Sequence, residues 1–321
     1  MKIYNWGIIG PGRIAHKFAE GLKILPQARL YAVASRSRER AEDFRMAHGF
    51  EKAFGSYTEM LEDPALDVVY IATTNNLHFE HTLLSLKAGK ATLCEKPFAS
   101  DLSQVKEMIA CAREKNIFLM EALCTRFMPS MLQLKEQIAS GIIGKPVMLQ
   151  CDFGFVSPFD PQKRLYALEL GGGSIPDIGI YPIFTALYLF GKPVEIHVTS
   201  IPAPTGTDWT TAFLFKHTGG EISMLSSTFQ TLLENEARVY GDKGQLKLHR
   251  KFSSSERLSF IDNESNETTL QAGMTGNGYN YEATEVMNCL DKGLIQSPAM
   301  SYAFSVDLIS LIDEISAKAR R

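Results

Sequence analysis

Three short motifs combine residue types suited to chemistry. Gly10–Ala15 reads Gly-Pro-Gly-Arg-Ile-Ala, Lys96 lies within Glu-Lys-Pro, and Gly171–Gly173 leads to Asp177 and Tyr181. Closely spaced glycines let a backbone approach a phosphate, a lysine supplies a cation, and a carboxylate beside a phenol can hold and move a proton. Together the motifs predict a site that binds a dinucleotide and transfers a proton.

The first motif has the spacing of a dinucleotide-binding turn. Gly10 allows a tight turn out of a strand, Gly12 permits close approach to a pyrophosphate, and Ala15 is small where a third glycine is usual. A helix that begins at Arg13 and Ile14 would point its free N–H groups at the phosphates. A plain glycine-rich turn is the alternative, but the strand before the motif and the helix after it favour a nicotinamide dinucleotide as cofactor.

The end of the second strand predicts which dinucleotide is used. An NAD site usually has an acidic residue there for the ribose 2′-hydroxyl, whereas this chain has Ser35 and Arg36. A serine and an arginine can bind a 2′-phosphate, so we expect NADP, with NAD as a second possibility. The alternative is that Arg36 is an exposed loop charge and both cofactors are used.

Two further loops follow strands and are expected at the same edge of the sheet. Thr73, Asn75 and His78 follow a central strand, and Glu95 and Lys96 follow the next strand. All five residues are predicted to contact the cofactor. Lys96 as an ammonium would hydrogen-bond a substrate hydroxyl and favour loss of its proton. A surface lysine before a proline is the alternative. His78 and His81 are three residues apart, but no third metal ligand of suitable spacing follows them, so no metal is predicted.

Asp177 and Tyr181 are four residues apart, which places them on one face of a predicted helix. Asp177 would bind a sugar-like hydroxyl or orient Tyr181, and Tyr181 would exchange a proton, assisted by the positive charge of Lys96. The glycines before them would let the chain pass close to a ligand. The alternative is that Asp177 caps the helix and Tyr181 packs in the core.

The pattern of elements divides the chain in two. Alternating strand and helix signals over residues 1–122 predict a Rossmann domain, an α/β fold with a doubly wound parallel sheet. Residues 123–321 predict a second domain with a largely antiparallel sheet, tight hairpins and a last helix that could pack back on the first domain. Its predicted strands cover 147–156, 194–199, 211–216, 221–229, 237–240 and 245–249, and a helix is predicted over 175–190.

Composition excludes several classes of protein. The chain has 321 residues and a formal net charge of −3, which gives no electrostatic basis for binding nucleic acid or an anionic membrane. Five cysteines without a CxxC pair favour a reducing, cytoplasmic setting over a disulfide framework. No apolar run reaches the length of a bilayer span, and no signal peptide is recognised.

These residues together resemble the Gfo/Idh/MocA oxidoreductases, and within them the dimeric dihydrodiol dehydrogenase branch. The motifs that carry the resemblance are Gly10–Ala15, Ala34–Arg36, Glu95–Pro97, Glu121-Ala122, Thr125–Phe127, Arg164-Leu165, Leu170–Gly173 and Asp177–Pro182. The resemblance implies catalytic roles for Lys96, Asp177 and Tyr181. It implies that Arg126 lies near substrate and that Arg164 lies near cofactor or substrate. It also implies that residues 123–321 form an α+β domain for substrate binding and dimerisation, with a large open, mainly antiparallel sheet through which the chain forms a homodimer or higher oligomer.

The chain departs from that branch at two positions. Cys124 stands where the branch often has tryptophan, and Thr74 replaces a common proline. The expected activity is hydride transfer between NADP and a secondary alcohol or ketone of a sugar, a polyol or a trans-dihydrodiol. Two alternatives remain: an enzyme that keeps NAD(P) tightly bound, for internal redox chemistry or glycoside cleavage, and a non-catalytic NAD(P)-sensing protein.

Overall fold

The computed structural model describes residues 2–320, which form two compact units. The N-terminal unit contains the residues up to Cys124 together with Thr275–Val306, and the C-terminal unit contains Thr125–Met274 together with the residues from Asp307 onward. The division expected from sequence, 1–122 and 123–321, was continuous. The structure differs in that Thr275–Val306 belongs with the N-terminal unit.

The N-terminal unit alternates strands and helices, as expected of a Rossmann domain. Its first elements are β1 (Tyr4–Ile9), α1 (Arg13–Lys23), β2 (Ala28–Ala34), α2 (Arg38–His48), β3 (Lys52–Phe54), α3 (Tyr57–Leu61), β4 (Val68–Ile71), α4 (His78–Lys87), β5 (Ala91–Glu95), α5 (Leu102–Lys115) and β6 (Leu119–Ala122). In the described chain the six strands pair in parallel in the order β3-β2-β1-β4-β5-β6. The order reverses beside β1, where ligands bind in open α/β sheets.

Burial on both faces explains this sheet. Every residue of β4 is buried, and α1 covers the sheet with Phe18 and Leu22, which are also buried. The ring of Phe18 stacks on that of Tyr70 in β4, with centroids 3.7 Å apart. The hydroxyl of Ser37 accepts a hydrogen bond from the Arg40 N–H and so caps α2. The apolar spacing along α1 therefore sets which face of the helix meets the sheet.

The C-terminal unit is built on a second sheet. Its elements are α6 (Pro129–Ala139), β7 (Pro146–Gly154), α7 (Ile180–Phe190), β8 (Pro193–Pro202), β9 (Asp208–His217), β10 (Ile222–Thr228), β11 (Ala237–Gly241), β12 (Gly244–Leu248), β13 (Arg257–Asp262) and β14 (Glu267–Gln271). Within residues 2–320 this sheet has eight strands in the order β14-β13-β12-β11-β7-β10-β9-β8. β7 and β10 pair in parallel and the other neighbours are antiparallel. This confirms the predicted open, mainly antiparallel sheet.

Two helices follow, α8 (Tyr279–Asp291) and α9 (Tyr302–Ala319). α8 belongs to the N-terminal unit, where Asn277 before it donates a hydrogen bond to the Lys17 carbonyl of α1. α9 begins in the segment assigned to the N-terminal unit and continues into the residues assigned to the other. Across residues 2–320, none of the helices combines the length and the hydrophobicity that a bilayer span requires.

Three strands were missing from the sequence-based prediction: β3, β13 and β14. β3 has only three residues, and β14 is an edge strand in which four of five residues are exposed. Neither carries the alternation of buried and exposed residues that identifies a strand. The predicted helix over 175–190 is present, but its first turn, Ile175–Gly179, is a π-helix and only Ile180–Phe190 is α-helical.

Candidate active site

The glycine motif forms a turn between β1 and α1 that leaves room for a ligand. Gly10 has a φ of +88°, and a Cβ there would lie 2.8 Å from Thr73 Cγ2. Gly12 is the N-cap of α1, so the helix begins without a capping side chain, and a Cβ at Gly12 would meet nothing closer than 4.0 Å. Without acidic residues in its first turn, α1 presents the amides of Arg13 and Ile14 to an anion. The turn therefore fits a pyrophosphate.

The other predicted cofactor residues follow the neighbouring strands. Ser35 and Arg36 follow β2, Thr73 and Asn75 follow β4, and Lys96 follows β5. Because β2, β1, β4 and β5 are adjacent and parallel, their carboxyl ends form one edge of the sheet. The structure thus brings these predicted cofactor residues of the N-terminal unit to one edge.

Ser35 and Arg36 differ in accessibility. The Ser35 side chain is only 5% exposed, and its hydroxyl accepts a hydrogen bond of 3.3 Å from the Ser37 N–H. Arg36 is exposed, beyond the end of β2. Its positive charge opposes the rise that burial causes in the pKa of Tyr57, and it adds to the lowering that burial causes in the pKa of His81. Arg36 is therefore the better placed of the two to reach an added phosphate.

The backbone around Lys96 is held at three successive residues. The Lys96 N–H donates to Glu95 Oε2 at 3.2 Å, the Pro97 carbonyl oxygen lies 2.8 Å from His78 Nδ1, and the Phe98 N–H donates to Glu121 Oε1 at 3.1 Å. The Lys96–Pro97 peptide is cis. These contacts come from β5, α4 and β6, so three elements fix the turn that carries the lysine.

His78 is buried beside the turn that carries Lys96. Its ring is 1% exposed, with Nε2 3.2 Å from the Thr73 carbonyl oxygen in addition to the contact with Pro97. Burial lowers the pKa of His78 to about 4, so the imidazole is neutral at ordinary pH and has one N–H. The shorter contact identifies Nδ1 as the donor to Pro97. His78 therefore supports the Lys96 turn, and its predicted contact with cofactor stays a prediction.

Glu95 also lies beneath the turn rather than at its surface. It is 7% exposed and accepts a short hydrogen bond from the hydroxyl of Tyr70. Glu282 of α8 is fully buried, and neither of its carboxylate oxygens has a hydrogen-bond partner within residues 2–320. Burial, together with the negative charge of Glu95, raises the pKa of Glu282 well above its usual value. Glu95 thus contacts Tyr70 beneath the turn, and its predicted role in cofactor binding stays a prediction.

Glu121 was not predicted as a site residue, although it lies in a motif of the family resemblance. Burial raises its pKa to about 7, opposed by hydrogen bonds from Ser305 and from the Phe98 N–H. Its second carboxylate oxygen is buried without a hydrogen-bond partner in the described chain. Glu121 thus holds the Lys96 turn with a carboxyl group that titrates near neutral pH.

In the C-terminal unit, Asp177 pairs with Arg164. The guanidinium Nη2 of Arg164 lies 2.8 Å from Asp177 Oδ1, and the two side chains are 31% and 14% exposed. A charge-assisted hydrogen bond between two partly buried side chains fixes the orientation of the carboxylate. The sequence pointed to both residues but not to their contact, because thirteen positions separate them.

Gly172 and Gly173 pack tightly against other groups of the C-terminal unit. A Cβ at Gly172 would lie 2.7 Å from the Arg164 carbonyl oxygen, and a Cβ at Gly173 would collide with the carboxylate of Asp208. Gly173 also has a φ of +132°, a conformation that side chains rarely adopt. The glycines were expected to pass close to a ligand, whereas their tightest neighbours are these groups of the same unit.

Tyr181 is the second residue of α7, directly after the π-helical turn. Its ring packs against Phe153 of β7 with centroids 5.4 Å apart, and its carbonyl oxygen accepts a hydrogen bond from Thr185. Phe153 in turn packs on the buried cluster that contains Tyr166 and Phe229. The phenol therefore rests on an aromatic wall of the C-terminal sheet.

Arg126 stacks on an aromatic ring of α7. Its guanidinium carbon lies 4.5 Å above the ring centroid of Tyr188, which is two helical turns beyond Tyr181 in α7. A guanidinium over an aromatic face is a stabilising cation–π contact. This stacking gives Arg126 a packing role, and its predicted role in substrate binding stays a prediction.

Two models of known protein families match this chain. Residues 4–123 match the family described as "Oxidoreductase family, NAD-binding Rossmann fold", GFO_IDH_MocA, and residues 131–247 match the "GFO/IDH/MocA C-terminal domain". Trans-1,2-dihydrobenzene-1,2-diol dehydrogenase of Xenopus laevis is 35% identical over 319 residues, covering 97% of this chain and 96% of the relative. The human enzyme of that name is 35% identical over 321 residues, covering 97% and 95%.

Solved structures share the fold. Aldose-aldose oxidoreductase from Caulobacter crescentus, complexed with glycerol, has a TM-score of 0.90 at 22% identity and covers 99% of this chain and 98% of its own. A 3-ketoreductase from Actinomadura kijaniata, in complex with NADP and TDP-benzene, has a TM-score of 0.89 at 24% identity with the same coverage. Levoglucosan dehydrogenase in complex with NADH and L-sorbose has a TM-score of 0.89 at 21% identity and covers 99% and 97%.

Proposed function

Because this chain belongs to the GFO/IDH/MocA oxidoreductase family, we propose that it is an NAD(P)-dependent oxidoreductase acting on a secondary alcohol or its ketone. The substrate class is a trans-dihydrodiol, a sugar or a polyol, by likeness to relatives with those substrates in their names. One observation carries the proposal: the uncapped turn at Gly10–Gly12 and the tightly held Lys96 lie at the same edge of one parallel sheet.

The cofactor would be held by the N-terminal unit. Gly10, Gly12 and the first-turn amides of α1 would bind the pyrophosphate, and Thr73 and Asn75 would line the neighbouring part of the edge. When bound, a nicotinamide cofactor accepts hydride from an alcohol carbon or returns it to a ketone carbon.

The chain's own residues would then handle the proton. Tyr181 would take the proton of the substrate hydroxyl during oxidation and return it during reduction, and Lys96 as an ammonium would stabilise the negative charge that develops on oxygen. Asp177, held by Arg164, would accept a hydrogen bond from a substrate hydroxyl and so orient the sugar or diol. Arg164 thereby acts through Asp177, which differs from the cofactor contact predicted for it.

NADP is the cofactor we propose. The residues that follow β2 are Ser35 and Arg36, with no acidic group to bind a ribose 2′-hydroxyl. Arg36 is exposed and can bind a 2′-phosphate through two parallel hydrogen bonds. The charge of Arg36 would favour NADP over NAD.

We also propose a homodimer formed through the C-terminal sheet, in a cytoplasmic enzyme whose two units bind cofactor and substrate. The sheet presents exposed apolar side chains in register, since Leu214 of β9 pairs with Met224 of β10. Five free cysteines suit a reducing compartment. Sedimentation of Met224→Lys beside the wild-type protein tests the dimer: a monomeric variant supports this interface, and an unchanged oligomer contradicts it.

The activity is tested by following nicotinamide absorbance with purified protein. NADP⁺ and NAD⁺ are each offered with trans-1,2-dihydrobenzene-1,2-diol, sugars and polyols. Reduction of NADP⁺ by one substrate group supports the proposal and names the substrate. NADPH binding shown by fluorescence, with no turnover across the panel, contradicts it and favours a sensor, whereas NADP retained through purification together with glycosidase activity favours the tightly bound form.

A further inference from the structure

Asp208 holds the start of the segment that carries Asp177 and Tyr181. It begins β9, and its Oδ2 accepts hydrogen bonds from the Ser174 hydroxyl at 2.8 Å and from the Ile175 N–H at 2.6 Å. Ser174 is the N-cap of this helical segment, yet its own side chain makes no capping bond. The carboxylate of Asp208 therefore caps the segment from a neighbouring strand.

The hydroxyl of Ser227 in β10 lies close to both ends of the π-helical turn. The Ser174 hydroxyl lies 2.9 Å from the hydroxyl of Ser227 in β10, and a Cβ at Gly179 would lie 3.0 Å from that Ser227 oxygen. Ser174 and Gly179 bound the turn, and Asp177 lies between them. A turn fixed at both ends has little freedom to change its register.

The backbone of Gly173 links Asp208 to Asp177. Gly173 packs its Cα against the Asp208 carboxylate, and the Gly173 carbonyl oxygen accepts a hydrogen bond from the Asp177 N–H at 3.3 Å. Asp177 then meets Arg164 at 2.8 Å. A shift of the turn by a fraction of an ångström would be felt at that ion pair, and positioning errors of this size are costly in catalysis.

We propose that Asp208 is a positioning residue for the reaction, which sets the π-helical turn so that Asp177 is presented to substrate in one orientation. This inference rests on the proposed function, because it assigns Asp208 an effect through Asp177. The carboxylate acts as an acceptor of two hydrogen bonds, and neither donor belongs to a charged side chain. Both bonds end on Oδ2, so asparagine keeps an acceptor there but exchanges two hydrogen bonds to a carboxylate for weaker ones to a neutral amide.

The test compares Asp208→Asn, Asp177→Asn and the double variant, assayed with NADP⁺ and trans-1,2-dihydrobenzene-1,2-diol. We expect Asp208→Asn to lower kcat by about tenfold or more with the NADPH dissociation constant unchanged, and the double variant to be no slower than Asp177→Asn alone. Asp262→Asn is the matched control, because Asp262 accepts a backbone hydrogen bond from Asn266 in the turn after β13. It should leave kcat unchanged.

Three results would overturn the inference. They are a wild-type kcat in folded Asp208→Asn, losses that add in the double variant, and an equal loss in the Asp262→Asn control. If Asp208→Asn does not fold, Ser174→Ala removes one of the two donors and is judged by the same criteria. If Asp177→Asn itself is fully active, the proposed role of Asp177 fails, and this outcome is distinct from an active Asp208→Asn beside an impaired Asp177→Asn.

Discussion

Arg164 Nη2 lies 2.8 Å from Asp177 Oδ1, and this ion pair joins the loop before the glycines to the turn that follows them. Both side chains are partly shielded, so the pair is better protected from screening than a surface pair. The orientation of the Asp177 carboxylate therefore depends on a residue that sequence reasoning had assigned to cofactor or substrate.

Replacing that arginine should impair substrate use more than cofactor binding. In Arg164→Met, Asp177 loses its contact with the guanidinium, and we expect kcat/KM for the alcohol to fall by about tenfold or more because the carboxylate loses the cation that orients it. The measurement is steady-state kinetics together with NADPH fluorescence titration. Lys163→Met removes the adjacent exposed charge and should be neutral. A large rise in the NADPH dissociation constant for Arg164→Met would instead support a direct cofactor contact.

Lys96 should be required for turnover and not for cofactor binding. Lys96→Ala removes the proposed cation from a turn whose backbone is held by Glu95, His78 and Glu121. We expect kcat to fall by about a hundredfold or more, the size of effect expected for loss of a proton-transfer or charge-stabilising group. Lys87→Ala, on the exposed end of α4, serves as the control. Unchanged turnover in Lys96→Ala would falsify the assignment.

Arg36 should set the preference between the two cofactors. Arg36→Ala is expected to raise KM for NADP⁺ by about tenfold or more and to leave KM for NAD⁺ nearly unchanged, because only NADP carries the 2′-phosphate. Arg29→Ala is the control, since Arg29 lies at the opposite end of β2. Equal changes for both cofactors would show that Arg36 does not read the phosphate.

Glu121 should make stability depend on pH. Its folded pKa of about 7 lies above the unfolded value of 4.5, so the folded state binds more protons between those values. This contribution to stability is therefore present at low pH and lost as pH rises through about 4.5 to about 7, amounting to roughly 3 kcal/mol. Glu121→Gln keeps an oxygen acceptor for the Phe98 N–H and should unfold with a flatter pH dependence in urea titrations. Parallel curves for the two proteins would contradict this account.

Gly173 should tolerate alanine poorly. Its φ of +132° strains a side chain, and a Cβ would collide with Asp208, so Gly173→Ala should lower the free energy of unfolding by about 2 kcal/mol or more. Gly191→Ala is a matched control, because Gly191 also has a positive φ of 74° but nothing within 4 Å of a Cβ. Thermal unfolding should show a smaller loss for the control. Equal losses would mean that strain alone, and not the contact with Asp208, determines the cost.

Local spacing in the sequence was enough to identify the turn at Gly10–Gly12, its strand and its helix. A dinucleotide-binding turn is made by consecutive residues, so its geometry is encoded within a short window. The position of Lys96 at the same edge also followed from sequence, because parallel strands joined by right-handed crossovers bring their carboxyl ends together. The mainly antiparallel character of the second sheet followed from its closely spaced strands and glycine turns.

Tertiary structure alone decided how the polar groups pair. Asp208 is the first residue of β9, and only the packing of that strand against the Gly173–Ile175 backbone makes it a helix cap. The lowered pKa of His78 likewise follows from burial, which the packing of α4 against the Lys96 turn decides. Such contacts have no fixed spacing along the chain, because they depend on which elements meet after folding. The sequence by itself therefore determined which groups are available and at which edge of the sheet, and the fold determined which of them are exposed and which are buried and hold the others in place.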